Sequence, residues 1–370
     1  MSLAFNLPRL LLGSGALADL SGELDFLGLA RPLLISDQGV QRAGLVDRVR
    51  MAAPRIVAAF LDVPENPTAL GADAAAEVYR AANCDGVVAL GGGSVLDTAK
   101  IVAGLVRGKP RLARDLIGRP ERIDGVVPLV ALPTTVGTGS ESSPVAALHL
   151  APGGPAIGTR HRLLTPRVAI CDPDLARTLP SRLVAATAVD ALSHCLEGFF
   201  AEPAHPAIDA LALDGIARVL ASARAALEPD GEAARASLMA AAFFGGAAIH
   251  KGLGPAHAVA LACGDQDVHH GALIGVVLPH STALLARHVP HKAARIAAAM
   301  GLADGADLAE ALRALIADLD LPVTLAEVGY RLGDREALIK VMVQSPFNRT
   351  SPYAPRADDY RDLLARIEGH

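Results

Sequence analysis

From about residue 10 to residue 180, short apolar runs alternate with longer stretches whose apolar positions recur every three or four residues. The runs at 32–37, 55–61, 86–90 and 126–132 read as strands, and 68–82 and 94–106 as helices between them. Strand and helix in alternation predict a parallel sheet with helices on its faces. Beyond residue 180 the period changes. Helical spacing is predicted over 182–200, 205–227, 232–249, 255–263, 271–288, 291–300, 307–319, 324–328, 335–343 and 358–367. The expected architecture is α/β: an N-terminal parallel-sheet domain over 1–179, followed by an all-helical C-terminal domain over 180–370.

Composition narrows the class. Hydrophobic residues make up 51% of the 370 residues and charged ones 20%, which gives enough apolar material for well-packed cores and excludes a disordered chain. The net charge of -5 comes without a basic run or an aromatic-basic alternation, so a nucleic-acid partner is not expected. The start MSLAFNLPRLLLGSG lacks the basic flank and long apolar run of a secretory signal, and no stretch is read as a bilayer span; a cytoplasmic protein is expected. Cys84, Cys171, Cys195 and Cys263 are scattered without a CxxC pair, which predicts reduced, mostly buried thiols.

Three stretches in the first half carry candidate phosphate and ribose chemistry. Gly91-Gly-Gly-Ser94 follows a strand and opens a helix, where glycines let the backbone approach a pyrophosphate and free amides bind its charge. Gly92, Gly93 and Ser94 are the candidates, with a tight strand-to-helix turn as the alternative. Asp37 ends the first apolar run, where a carboxylate can accept from ribose hydroxyls and repel a 2′-phosphate, favouring NAD over NADP; a helix cap is the other reading. Thr134-Thr-Val-Gly-Thr-Gly-Ser-Glu141 follows another strand and offers Thr134, Thr135 and Thr138 to a cofactor, or caps a helix.

The second half offers a metal set. Asp190 and His194 lie four apart on a predicted helix and so share one face. His257 sits in a short helix that Pro255 can begin, and His270 precedes Gly271 at the start of another. One carboxylate and three imidazoles suit a divalent first-row ion such as Fe²⁺ or Zn²⁺.

Together these motifs resemble the iron-containing (group III) alcohol dehydrogenase family over nearly the whole chain. The resemblance rests on Gly91-Gly-Gly-Ser-Val-Leu-Asp-Thr-Ala-Lys100, Leu132-Pro-Thr-Thr-Val-Gly-Thr-Gly-Ser-Glu141, Asp190-Ala-Leu-Ser-His-Cys-Leu-Glu197, Gly252-Leu-Gly-Pro-Ala-His257, and His270-Gly271 with Leu278-Pro-His280. It implies a dinucleotide-binding N-terminal domain, a metal held by Asp190, His194, His257 and His270, and cofactor contacts from Asp37, Asn66, Gly92, Gly93, Ser94, Thr134, Thr135 and Thr138. The implied activity is NAD(P)-linked interconversion of a small primary alcohol and its aldehyde, in a homodimer. Where the family has a second His four residues after the one matching His257, this chain has Leu261, so His250, His269, a ribose hydroxyl or water become the candidates for proton transfer. His269 also competes with His270 as ligand. The pair His250-Lys251 suggests recognition of an anionic group on the substrate. Maleylacetate-reductase-like, glycerol-dehydrogenase-like and dehydroquinate-synthase-like chemistry are the alternatives.

Overall fold

The computed structural model describes residues 5–266 and 268–369. The first residues of the N-terminal stretch and Asp267 of the loop before His269 lie outside the described residues. The chain divides into two compact units, one made of Phe5–Thr135 and Ser140–Leu179, the other of Val136–Gly139 and the chain from Pro180 onward.

The first unit carries strands β1 (Arg9–Leu12), β2 (Leu33–Ile35), β3 (Ala58–Phe60), β4 (Val87–Gly91), β5 (Leu129–Pro133), β6 (Val145–His149), β7 (Ala156–Arg160) and β8 (Val168–Cys171). Its helices are α1 (Leu20–Phe26), α2 (Gln38–Arg42), α3 (Leu45–Ala52), α4 (Ala69–Ala81) and α5 (Gly93–Arg107). Six strands form one sheet in the order β1-β8-β5-β4-β2-β3, every pairing parallel, while β6 and β7 form a separate antiparallel hairpin. Side chains alternate across the sheet. Leu33, Ile35, Val87, Ala89, Leu129 and Ala131 enter the core shared with α4 and α5, and Leu34, Val88, Leu90, Val130 and Leu132 enter the core shared with α1 and α3. Both faces are thus buried, which is why these strands are unbroken apolar runs.

Strand order reverses between β2, which leads outward to β3, and β4, which leads the other way to β5 and β8. Such a reversal leaves a crevice at the carboxyl ends of the two strands, and ligands of open α/β sheets bind there. The register Ile35↔Ala89 puts the loops after β2 and β4, with Asp37 and Gly92, at that crevice.

The second unit is helical: α6 (Ser181–Phe200), α7 (Pro206–Ser222), α8 (Glu232–Ala248), α9 (Pro255–Ala262), α10 (His270–His288), α11 (Pro290–Ala299), α12 (Leu308–Asp318), α13 (Arg335–Gln344) and α14 (Ala357–Ile367). The segment 324–328, expected as helix, is a turn. Helix α6 is buried from Val184 to Phe200 and packs on α7, α8 and α10. By length and composition α6 could cross a bilayer, which amends the expectation that no stretch could. Its apolar window is 94% buried inside the protein, and it carries Asp190, His194 and Glu197, so it is a core helix.

Candidate active site

The four expected metal donors converge. On α6, Asp190 and His194 stand one turn apart with His194 Nε2 3.7 Å from Asp190 Oδ1. The same oxygen lies 4.0 Å from His257 Nε2 on α9 and 3.7 Å from His270 Nε2 at the first residue of α10. Four tetrahedral ligands around one ion, each at about 2.1 Å, would stand roughly 3.4 Å apart. The observed spacing is slightly wider and of that kind. Donor atoms of Asp190, His194 and His257 lie within 4.8 Å of one another. The His194 and His257 rings stack at 4.9 Å, and His270 approaches His257 at 5.5 Å with the rings tilted by 48°. His270 is the outer member, with 53% of its side chain exposed.

A buried polar atom normally has a partner. Asp190 Oδ1 and His257 Nε2 are buried and make no hydrogen bond. Burial pushes the Asp190 carboxyl up to about 7, opposed by His257 and reinforced by repulsion from Glu197. Burial, then the neighbouring His257 and His270, hold His194 well below the usual imidazole range, with a backbone contact to Gly137 opposing them. A cluster of a carboxylate and imidazoles that leaves buried lone pairs unused has the chemistry of a cation site.

Two details of packing select these residues. His269 is the cap of α10, its Nδ1 accepting from the Ala272 N–H at 3.4 Å, and His270 is the one turned toward Asp190. Gly271 lets this happen: a Cβ there would stand 2.4 Å from the Ala186 carbonyl oxygen of α6.

The remaining candidates are placed otherwise. Lys251 is fully buried, with Nζ 2.5 Å from Asp209 Oδ1 and 3.3 Å from the Phe199 carbonyl. This corrects the expectation that it meets a substrate anion, since its charge is already neutralised by a buried carboxylate. His250 is 5% exposed in the turn after α8, its N–H donating to the Ala247 carbonyl. Leu261 is partly buried on α9.

In the first unit, Gly92 is the residue before α5, and no side chain caps that helix, although Thr68 caps α4 in the same unit. The amides of the first turn are therefore left for an anion. A Cβ on Gly91 would meet the Val95 side chain at 2.5 Å, and one on Gly92 would meet Thr135 at 3.0 Å. The Thr134 N–H donates to the Gly91 carbonyl at 3.1 Å, tying the loop after β5 to the glycine loop. The hydroxyls of Thr135 and Thr138 are buried without a hydrogen bond, Thr138 falling in the segment grouped with the helical unit. Ser94 Oγ donates to the Glu65 carbonyl, beside the exposed Asn66. Asp37 caps α2, Oδ1 accepting from the Val40 N–H at 2.8 Å, so one of its oxygens is used locally.

The family model for iron-containing alcohol dehydrogenase matches residues 8–173, and that for the family's C-terminal region matches residues 184–367. The chain belongs to the iron-containing alcohol dehydrogenase family. It is similar to a 4-hydroxybutyrate dehydrogenase of Cupriavidus necator, at 36% identity over 98% of this chain and 99% of that one. Among solved structures it is similar to a 1,3-propanediol oxidoreductase, with a TM-score of 0.94, 26% identity and coverage of 99% and 100%. It is also similar to a sulfoacetaldehyde reductase of Bifidobacterium kashiwanohense in complex with NAD⁺, with a TM-score of 0.90, 25% identity and coverage of 99% of each chain. The first unit is accordingly the dinucleotide-binding fold of an NAD-dependent alcohol dehydrogenase of this iron-containing family.

Proposed function

We propose that this alcohol dehydrogenase interconverts a short primary alcohol and its aldehyde with NAD rather than NADP. In this reading Asp190, His194, His257 and His270 hold one divalent ion, Fe²⁺ in preference to Zn²⁺. The observation that carries it is Asp190 Oδ1, buried, without a hydrogen bond and facing three imidazole nitrogens. When bound, the ion supplies Lewis acidity toward the substrate oxygen and the nicotinamide carries the hydride. Asp190 contributes the negative charge of the donor set, and the depressed basicity of His194 keeps its lone pair available near neutral pH.

The open N-terminus of α5 would take the pyrophosphate, the unpartnered hydroxyls of Thr135 and Thr138 would meet the cofactor, and the remaining oxygen of Asp37 would face the ribose. Asn66, Gly93, Ser94 and Thr134 complete this set. Leu261 has no proton to relay and His269 has its Nδ1 engaged by the Ala272 N–H, which leaves His250, the Nε2 of His269, a ribose hydroxyl or water to exchange the proton. His250→Ala and His269→Ala separate these: a steep loss of turnover in one names the relay residue, and retention in both leaves the ribose hydroxyl or water.

A substrate with a terminal anionic group is favoured by two relatives, whose names give 4-hydroxybutyrate and sulfoacetaldehyde as what they act on. Lys251 is not its recognition group. We take the enzyme to be a cytoplasmic homodimer, which sedimentation of the purified chain checks for the dimer.

The test is metal analysis of purified protein with NADH and NADPH oxidation, before and after chelation, on short aldehydes and their ω-carboxylate counterparts. Stoichiometric metal with chelator-sensitive, NADH-preferring turnover supports the reading. Metal-free protein with full turnover would overturn it.

A further inference from the structure

Glu197 lies seven residues after Asp190 and three after His194, on the same stripe of α6, and is 2% exposed. It is not among the four donors. Its Oε2 lies 2.6 Å from His257 Nδ1 and accepts from the Gly254 N–H at 2.9 Å, while Oε1 accepts from the Ala256 N–H at 2.6 Å. Both oxygens thus receive backbone N–H groups, which is the pattern of an ionised carboxylate acting as acceptor. An acceptor opposite Nδ1 places the ring proton on Nδ1. The lone pair is then on Nε2, the atom that faces Asp190 and has no other partner.

Resting on the metal-site reading above, we propose that Glu197 is the positioning residue of the centre, fixing the tautomer and orientation of His257. It does this through two attachments. One is the hydrogen bond to the ring, and the other is the pair of bonds to the residues that begin α9, so ring and backbone are located by the same carboxylate. The sequence around α9 is fitted to this arrangement. Gly254 is at the position where a Cβ would stand 2.9 Å from Glu197 Oε1, so a side chain there would push the carboxylate away from its three donors. Pro255, at the first helical position, leaves no N–H to compete for it. Phe347 closes another side, its ring edge-on to His257 at 6.0 Å. Rotation of the imidazole away from Asp190 would therefore break a buried charge-assisted hydrogen bond and press on an aromatic ring.

Glu197→Gln keeps the shape and removes the charge. The amide can accept from either the ring or Ala256, and its NH₂ then faces a donor or supplies a proton to Nδ1 and favours the wrong tautomer. Zinc affinity of the full-length, metal-stripped protein, measured by competition with a chromophoric chelator, is expected to fall 10- to 100-fold in this variant. Asp190→Ala is expected to abolish stoichiometric binding. If Glu197→Gln binds zinc as tightly as the unmodified protein while Asp190→Ala does not, the role of Glu197 is overturned and the metal site stands. If Asp190→Ala binds as well as the unmodified protein, the site itself fails and the inference goes with it. A second measurement does not depend on the variant folding. The ¹⁵N shifts of His257 in the metal-free protein, assigned by their loss in His257→Gln, are expected to show Nδ1 protonated and Nε2 bare. The opposite tautomer would contradict the proposal outright.

Discussion

Two of the carboxylates that the helical unit buries, Asp209 and Asp190, are buried in opposite ways. Asp209 on α7 is closed: Lys251 lies 2.5 Å away, and the same ammonium reaches the Phe199 carbonyl. Asp190 on α6 is open, with one oxygen unpartnered and facing the ring nitrogens of three imidazoles. Both are inside the protein, and a charge in either place is tolerable only with compensation. The closed pair has its compensation within the chain and serves the fold. The open one lacks it within the chain, and with three ring nitrogens facing the bare oxygen the deficit is of the kind a bound cation would make good.

Asp190→Ala should sharpen this contrast most. Turnover is expected to drop on the order of 10³-fold or more with metal binding lost, while the metal-free protein keeps or gains thermal stability because an uncompensated buried carboxyl is gone. A loss of stability in the metal-free protein would place Asp190 with the structural residues. Lys251→Ala should do the reverse. It strands Asp209 and is expected to cost about 3–5 kcal/mol in denaturant unfolding, and the folded fraction should turn over at nearly the normal rate. Replacing both partners, Lys251→Met with Asp209→Leu, should recover most of that loss; a defect confined to turnover on carboxylated substrates would instead return Lys251 to the pocket.

Glu141 in the first unit is an intermediate case, wholly buried near Lys100, its carboxyl pushed up by burial to about 7 against the attraction of that lysine. Between the ordinary carboxylate range and pH 7 the folded protein holds a proton that the unfolded chain has released, so stability falls as pH rises across that window. The span is on the order of 3 kcal/mol at most. Glu141→Gln should lessen the fall in melting temperature between pH 5 and 7, leaving the part that Asp190 contributes in the metal-free protein. An unchanged slope would mean that Glu141 stays ionised and is compensated like Asp209.

The smallest effect separates two adjacent imidazoles. His269→Ala removes a helix cap and is expected to cost less than about 1 kcal/mol with metal retained, whereas His270→Ala should lower metal affinity steeply. Equal metal losses in both would break the assignment of His270 over His269.

Much of this was legible in the sequence because the signals are local. The spacing Asp190/His194 needs only the helical period, and the glycine loop needs only a strand before it and a helix after it. Three buried strands of the first unit, β2, β4 and β5, appear as apolar blocks for the same reason. Strands β1, β6, β7 and β8 were not legible. Arg9–Leu12 is an edge strand with an irregular burial pattern, Val168–Cys171 has four residues, and Ala156–Arg160 is largely polar or exposed and pairs only with Val145–His149. Lys251 was misread because its partner, Asp209, is 42 positions away, a distance that no local pattern encodes. Glu197 was visible as part of a motif, and its spacing of seven from Asp190 was the signal that could have given it a role. That His270 rather than His269 faces Asp190 depends on Gly271, whose missing Cβ matters against Ala186 of another helix.

Helix α6 supplies Asp190, His194 and Glu197, and the same twenty residues form a fully packed element of the helical unit. The other two donors come from helix beginnings, His257 from the third residue of α9 and His270 from the first of α10. The leading turns of α9 and α10 are no freer than α6: a Cβ at Gly254 would crowd the Glu197 carboxylate and one at Gly271 the Ala186 carbonyl, so in all three helices a substitution beside the cluster disturbs packing and chemistry together.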